Sequence, residues 1–133
     1  LHKAVEYHRK YVGKMPRANA VQPAIERVKT SVNLEDLRGS DIIIESITEN
    51  LDAKKELFRK LERVVARDVI LGTTTSALSI TGIATAVTDP SRVIGLHFLN
   101  PAPIMKLVEI IRGMETSDET FTRAESFPLR WRT

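Results

Sequence analysis

Asp41-Ile-Ile-Ile-Glu-Ser-Ile47 is the stretch that decides the fold. Its isoleucines stand side by side instead of alternating with polar residues, so both faces of the strand must meet apolar partners. A strand inside a parallel sheet covered by helices reads this way. Just beyond it, Asn50 is an N-cap candidate, and Leu51, Leu57, Phe58, Leu61 and Val65 recur at near-helical spacing, which predicts a helix over 51–65. Val69-Ile-Leu71 predicts a second buried strand, and Ser79–Val87 a short helix stopped by Asp89-Pro90. Val93–Phe98 and Leu107–Ile111 predict a third and a fourth strand. Strand, helix, strand, helix, strand is the rhythm of an α/β protein with a Rossmann-like parallel sheet and helices on both faces. Right-handed crossovers then bring the strand carboxyl ends to one edge, where such folds bind ligands. The residues at that edge are Glu49, Thr73–Ser76 and His97–Asn100.

Working towards the amino terminus, residues 2–12 are rich in helix formers, and Gly13 and Pro16 end that pattern. Ala20–Lys29 predicts a second helix, with Pro23 tolerated in its first turn. Together they make a helical hairpin, polar on one side. Lys29–Val32 follows as a short strand candidate.

Composition bounds the class. Hydrophobic residues make up 42% and charged residues 28%, as in a soluble globular domain. The 133 residues suffice for one domain with a core and are too few for two ordinary ones. No cysteine is present, which excludes disulfides and thiolate metal sites. The net charge of +3 and pI near 9.4 would suit an anionic partner. The basic residues, however, are interleaved with acids, as in Arg59, Lys60, Glu62 and Arg63, and no nucleic-acid motif accompanies them. No apolar run is long enough to cross a bilayer and no secretory signal opens the chain. The first residue is Leu1, which suggests a chain cut from something longer.

Three segments at the ligand edge carry chemistry. Glu49 lies at a strand-to-helix turn and Lys54 in the first turns of the helix, an acid and a base suited to a ribose or nicotinamide group. Their plain structural reading is a capping acid and a surface lysine. Thr73-Thr-Thr-Ser-Ala-Leu-Ser79 places four consecutive hydroxyls after a buried strand, either as ligand contacts or as a polar loop capping the next helix. His97 ends an otherwise apolar strand, and Glu109 interrupts the apolar run Leu107-Val-Glu-Ile-Ile111. A carboxylate buried in such a run needs a partner. If the two strands are neighbours, that partner is His97, and the pair suits a general base. Asn100, followed by Pro101 and Pro103, predicts a stiff turn that fixes an amide. No glycine-rich phosphate loop, nucleophile elbow or metal-ligand spacing occurs; the six glycines are isolated.

These segments together resemble the NAD-binding domain of 3-hydroxyacyl-CoA dehydrogenases. The resemblance runs from about Ser40 to Thr120 and is carried by Glu-Asn-Leu-Asp-Ala-Lys-Lys-Glu-Leu-Phe (49–58), Thr-Ser-Ala-Leu-Ser-Ile (75–80) and Arg-Val-Ile-Gly-Leu-His-Phe-Leu-Asn-Pro-Ala-Pro (92–103). Met-Lys-Leu-Val-Glu-Ile-Ile-Arg-Gly (105–113) and Thr-Ser-Asp-Glu-Thr (116–120) complete it. It implies His97 as the catalytic base, Glu109 as its paired carboxylate, and Ser76 and Asn100 as positioning groups for the reacting oxygen. It implies cofactor contacts at Glu49, Lys54, Ser76 and Asn100, with NAD as cofactor and no metal. The implied reaction is hydride transfer from a 3-hydroxyacyl-CoA, with the protein supplying the base and the geometry. The resemblance further implies homodimers for full-length members, a cytoplasmic setting (the mitochondrial matrix in a eukaryote), and no nucleic-acid or membrane partner.

Thr74 stands where the family usually has Asn, Ala77 where it has Ser, and Leu99 where it has Phe. The family's opening strand, glycine-rich turn, helix and second strand are not in this sequence, nor is its C-terminal helical domain. The two missing strands would lie between Lys29–Val32 and Asp41–Ile47. The expected organisation is a helical segment at 1–29, the rest of the NAD-binding domain at 30–120, and a tail at 121–133 that does not resemble the family's amphipathic continuation. Two alternatives stand beside an acyl-CoA dehydrogenase: an inactive truncated remnant, and a related dehydrogenase acting on a sugar acid or a carrier-bound hydroxyacyl group.

Overall fold

The computed structural model describes residues 27–102, 105 and 107–129, with the backbone alone at 128 and 129. The helices expected over 2–12 and over most of 20–29, Pro103 and the end of the tail at 130–133 lie outside the described residues. Two compact units divide the chain, 1–33 with 100–106, and 34–99 with 107–133. In the first, residues 27–33 are turn and irregular backbone. The helix expected to reach Lys29 therefore does not cover 27–29, and the strand expected at Lys29–Val32 does not form. A strand exists only by pairing, and among the described residues none pairs with this segment. Val32 is fully exposed.

The second unit holds a four-stranded sheet: β1 (Ile42–Glu45), β2 (Ile70–Thr73), β3 (Val93–Phe98) and β4 (Val108–Arg112), in spatial order β1-β2-β3-β4. β1 and β2 pair in parallel, as do β2 and β3, through crossovers containing α1 (Leu51–Val64) and α2 (Ile80–Ala84). β4 pairs antiparallel with β3 at the edge of this otherwise parallel sheet. The link over 99–107 explains the reversal, because a parallel return needs a crossover of a dozen or more residues.

α1 starts where the sequence predicts. Asn50 has extended backbone and its side-chain oxygen accepts from the Ala53 amide at 3.0 Å. Lys54, Phe58, Leu61 and Val65 form one buried stripe. Burying a side chain such as Phe58 stabilises by roughly 1.5–3 kcal/mol. α2 is shorter than the expected Ser79–Val87. Ser79 is its N-cap, accepting from the Gly82 amide at 3.1 Å, and the helix stops at Ala84. Val87 still reaches the core, so the apolar pattern outlasts the helix. Asp89 then caps a single 3-10 turn at Pro90–Arg92 that leads into β3.

Alternation along the strands builds two cores. Ile43, Leu71 and Val93 point to one face and pack with Phe58, Leu61, Ile80 and Ile83 of α1 and α2. Ile42, Ile44, Ile70, Ile94 and Leu96 point to the other, with Phe121 and Ala124 of α3 (Asp118–Leu129). Helices thus cover both faces. α3 runs across the boundary expected at 120/121, so the first part of the expected tail is packed helix.

Gly95 permits one close approach that matters for the site. A Cβ on it would lie 2.8 Å from Ile80 Cδ1 and 3.0 Å from Ile111 Cβ. Its bare backbone lets the first turn of α2 settle on the sheet two residues before His97.

Candidate active site

The parallel strands end at one edge with Glu45, Thr73 and His97–Phe98, and β4 begins there. In the β3–β4 register His97 stands directly opposite Glu109. Direct cross-strand partners project to the same face within side-chain reach. His97 Nδ1 lies 2.6 Å from Glu109 Oε2. A carboxylate only accepts, so Nδ1 carries the hydrogen and Nε2 is left with its lone pair. Ser76 Oγ is 3.0 Å from Nε2 and donates to it. The imidazole is thus held at both nitrogens.

The pair is more open than the apolar run around Glu109 suggests: the His97 and Glu109 side chains are 28% and 54% exposed. β4 is an edge strand, and among the described residues nothing pairs with its outer side. The partner expected for Glu109 is present, but burial is not what requires it.

The hydroxyl-rich turn after β2 is shaped by Glu49. Glu49 Oε1 accepts from the Thr75 hydroxyl, the Ser76 amide at 3.0 Å and the Ala77 amide at 3.2 Å. Thr75 Oγ1 in turn accepts from the Leu78 amide at 2.9 Å. The Thr75 hydroxyl above all, then the Ala77 and Ser76 amides and the Lys54 ammonium, hold the Glu49 carboxyl below the usual carboxylate range, against a desolvation cost. The capping reading of this turn holds, since Ser79 caps α2, and Ser76 faces the histidine. Asn50, not Glu49, caps α1.

Lys54 is not a surface lysine. It is 1% exposed, and its ammonium lies 2.7 Å from Glu45 Oε1 and 3.5 Å from Glu49 Oε2. The reason is its place at the start of the buried stripe of α1, which turns it inward beneath the sheet edge. Asn100 is exposed and joined to Pro101 by a cis peptide bond; it belongs to the first unit. Of the six expected residues, Ser76, His97 and Glu109 meet directly, and Glu49 and Lys54 join them through the Ser76 amide.

Glu45 is the residue that sequence reasoning passed over. Glu45 accepts from Lys54 Nζ at 2.7 Å, Thr73 Oγ1 at 2.6 Å and the Ile47 amide at 2.6 Å. The signal was present: an acid inside the run Asp41–Ile47 needs a partner by the reasoning applied to Glu109.

An α/β sheet with a buttressed histidine at its carboxyl edge defines a Rossmann-like class with a candidate acid–base site. The family model of the 3-hydroxyacyl-CoA dehydrogenase NAD-binding domain matches residues 2–131, and the chain belongs to that family. It is 50% identical over 100 residues to a probable 3-hydroxybutyryl-CoA dehydrogenase of Bacillus subtilis, covering 75% of this chain and 35% of that protein. It is 41% identical over 108 residues to the human mitochondrial hydroxyacyl-coenzyme A dehydrogenase, covering 80% of this chain and 34% of that one. Among solved structures, 3-hydroxybutyryl-CoA dehydrogenase of Escherichia coli K12 superposes with a TM-score of 0.86 at 36% identity, over 98% of this chain and 27% of that chain. The chain spans about a third of the length of these curated relatives.

Proposed function

We propose that the chain carries the acid–base half of a 3-hydroxyacyl-CoA dehydrogenase site, with His97 as general base, Glu109 as its orienting partner and Ser76 as the hydroxyl that positions the reacting oxygen. The observation that carries this reading is the Ser76–His97–Glu109 relay, with contacts of 3.0 and 2.6 Å at the sheet's carboxyl edge. A substrate hydroxyl within hydrogen-bond reach of Nε2 gives up its proton there. Glu109, already bound to Nδ1–H, stabilises the positive charge that the ring acquires. Ser76 Oγ carries a single hydrogen, so in this reading it turns from Nε2 to the substrate oxygen when the substrate hydroxyl takes that lone pair, and Asn100 is a further positioning group.

The donor set fits the nicotinamide–ribose end of NAD. Glu49 is 43% exposed and acceptor-rich, and Ser46 and Thr74, which follow the ends of β1 and β2, add hydroxyls 3.1 Å apart. A glycine-rich pyrophosphate cradle is no part of the 133-residue sequence. NAD, when bound, supplies the hydride acceptor. Glu49 and Ser76 serve as the contacts to it, and Lys54 acts through Glu49. An acyl-CoA substrate accords with the relatives' names and a mitochondrial setting with that of the human one, while a cytoplasmic setting and homodimerisation belong to the same reading. Among the described residues no helix is long and apolar enough to cross a membrane.

The test is NADH oxidation with acetoacetyl-CoA by the natural protein that contains this chain, wild type beside His97→Gln. The expected loss is about a hundredfold to ten-thousandfold, the range for a general base. An undiminished rate in the variant would remove His97 from the role.

A further inference from the structure

Glu45 is the most deeply buried acid near the site, with a side chain that is 0% exposed, and no step of the proposed chemistry uses it. Its carboxylate is nonetheless the first link of a continuous chain. Glu45 Oε1 lies 2.7 Å from Lys54 Nζ, and the same ammonium lies 3.5 Å from Glu49 Oε2. The other oxygen of Glu49 holds the Ser76 and Ala77 amides at 3.0 and 3.2 Å. Ser76 Oγ then meets His97 Nε2 at 3.0 Å.

Two carboxylates thus share one buried ammonium, and the distances say which owns it. We propose that Glu45 is a positioning residue: by holding the Lys54 ammonium, it leaves Glu49 to set the turn that presents Ser76 to His97. Without the Glu45 charge, the buried ammonium has one carboxylate left within reach, and an unpaired buried charge is costly. Glu49 then closes on Lys54 and gives up the Ser76 and Ala77 amides. Glutamine at position 45 keeps one acceptor oxygen where Glu45 uses two, so the effect of the charge is isolated by comparing it with the Glu45→Gln, Lys54→Met double variant.

The inference rests on His97 as the base of the proposed site, yet its test needs no turnover. The natural protein that contains this chain, labelled with nitrogen-15, is compared with its Glu45→Gln, Lys54→Met and double variants by NMR. The readouts are amide exchange at Ser76 and Ala77 and the His97 ring nitrogen shifts. In Glu45→Gln, exchange at the two amides accelerates about tenfold to a hundredfold relative to amides of the β2–β3 ladder, as expected for losing a charged acceptor. The His97 Nε2 resonance moves with it.

Lys54→Met removes the contested ammonium, so Glu49 stays on the turn and both readouts remain close to wild type. The double variant restores what Glu45→Gln disturbs. A purely structural role would lower global stability and leave the site signals of the folded molecules in place, and that result overturns the proposal. A double variant as disturbed as Glu45→Gln overturns it equally. The measurements are made in trimethylamine N-oxide, which favours the compact state, so that a destabilised variant is read while folded. If His97→Gln stays active while this NMR pattern appears, the function assignment fails and the positioning inference stands; the reverse pair of results separates them the other way.

Discussion

Gly95→Ala tests whether the packing of α2 on the sheet sets the site. The new Cβ would stand 2.8 Å from Ile80 Cδ1, 3.2 Å from Ile80 Cγ1 and 3.0 Å from Ile111 Cβ. Ile80 can retreat by leaving its rotamer, at about 0.5–1.5 kcal/mol. Ile111 cannot, because its Cβ is fixed to the β4 backbone, so the strand itself must shift. Overpacking of this kind costs about 1–3 kcal/mol. Alanine recovers roughly 0.5–1 kcal/mol by restricting the unfolded chain relative to glycine. The net expectation is a loss of about 1–2 kcal/mol, or about 3–10 °C in the midpoint of thermal unfolding for a chain of this size. Circular dichroism melting measures it. Gly39→Ala is the control, because nothing lies within 4 Å of the position a Cβ would take there. That variant should melt no lower than wild type. Equal melting of the two variants, or a stabilised Gly95→Ala, would refute the claim that close approach at Gly95 holds α2 down.

Other consequences are open to measurement. Asn50→Ala removes the oxygen that accepts from the Ala53 amide at 3.0 Å and should destabilise the chain by about 1 kcal/mol in urea titration, whereas Asn50→Asp should not. Glu109→Leu takes the acceptor from His97 Nδ1, now 2.6 Å away, so the ring should sample both tautomers and its two nitrogen-15 shifts should converge; shifts as separate as in wild type would mean that Glu109 does not set the tautomer. The Glu49 carboxyl is held below its ordinary value of 4.5, chiefly by the Thr75 hydroxyl. Its contribution to stability is therefore complete above that pH and is lost as the pH falls through the lowered value. Glu49→Gln should flatten the acid limb of the stability profile, and an unchanged limb would count against the network.

What could be read in advance follows the range of the forces involved. Val93–Phe98 needed only its own apolar run, and α1 only its spacing and Asn50; both formed where local pattern placed them. Lys29–Val32 had the composition of a strand, but pairing is a property of two segments, and its own residues carry no information about a neighbour. The direction of β4 was readable from the length of the 99–107 link, a topological constraint instead of a compositional one. Within the site, His97 and Glu109 were paired from chemistry alone, and the register set them opposite each other. The surface-lysine alternative for Lys54 fails because position on the helix outweighs charge. It shares a helix face with Phe58 and Leu61, and the stripe decides where it points.

That stripe also explains why an acid stands inside β1. A helix packed on a parallel sheet presents its first buried side chain to the carboxyl ends of the strands, which is where the ligand edge lies. An apolar residue at position 54 would fill that corner and bind nothing. A lysine there must be neutralised, and Glu45, on the strand beneath it, does so at 2.7 Å. The ammonium that results is a fixed positive point under the turn, within 3.5 Å of Glu49. Because Glu45 holds that ammonium, Glu49 is left to collect the Thr75 hydroxyl and the Ser76 and Ala77 amides, which otherwise would point at water. Only then does Ser76 stand at hydrogen-bonding distance from His97. The order of these contacts runs from the most buried charge to the most exposed, so rigidity in the core is converted into placement of a hydroxyl at the surface.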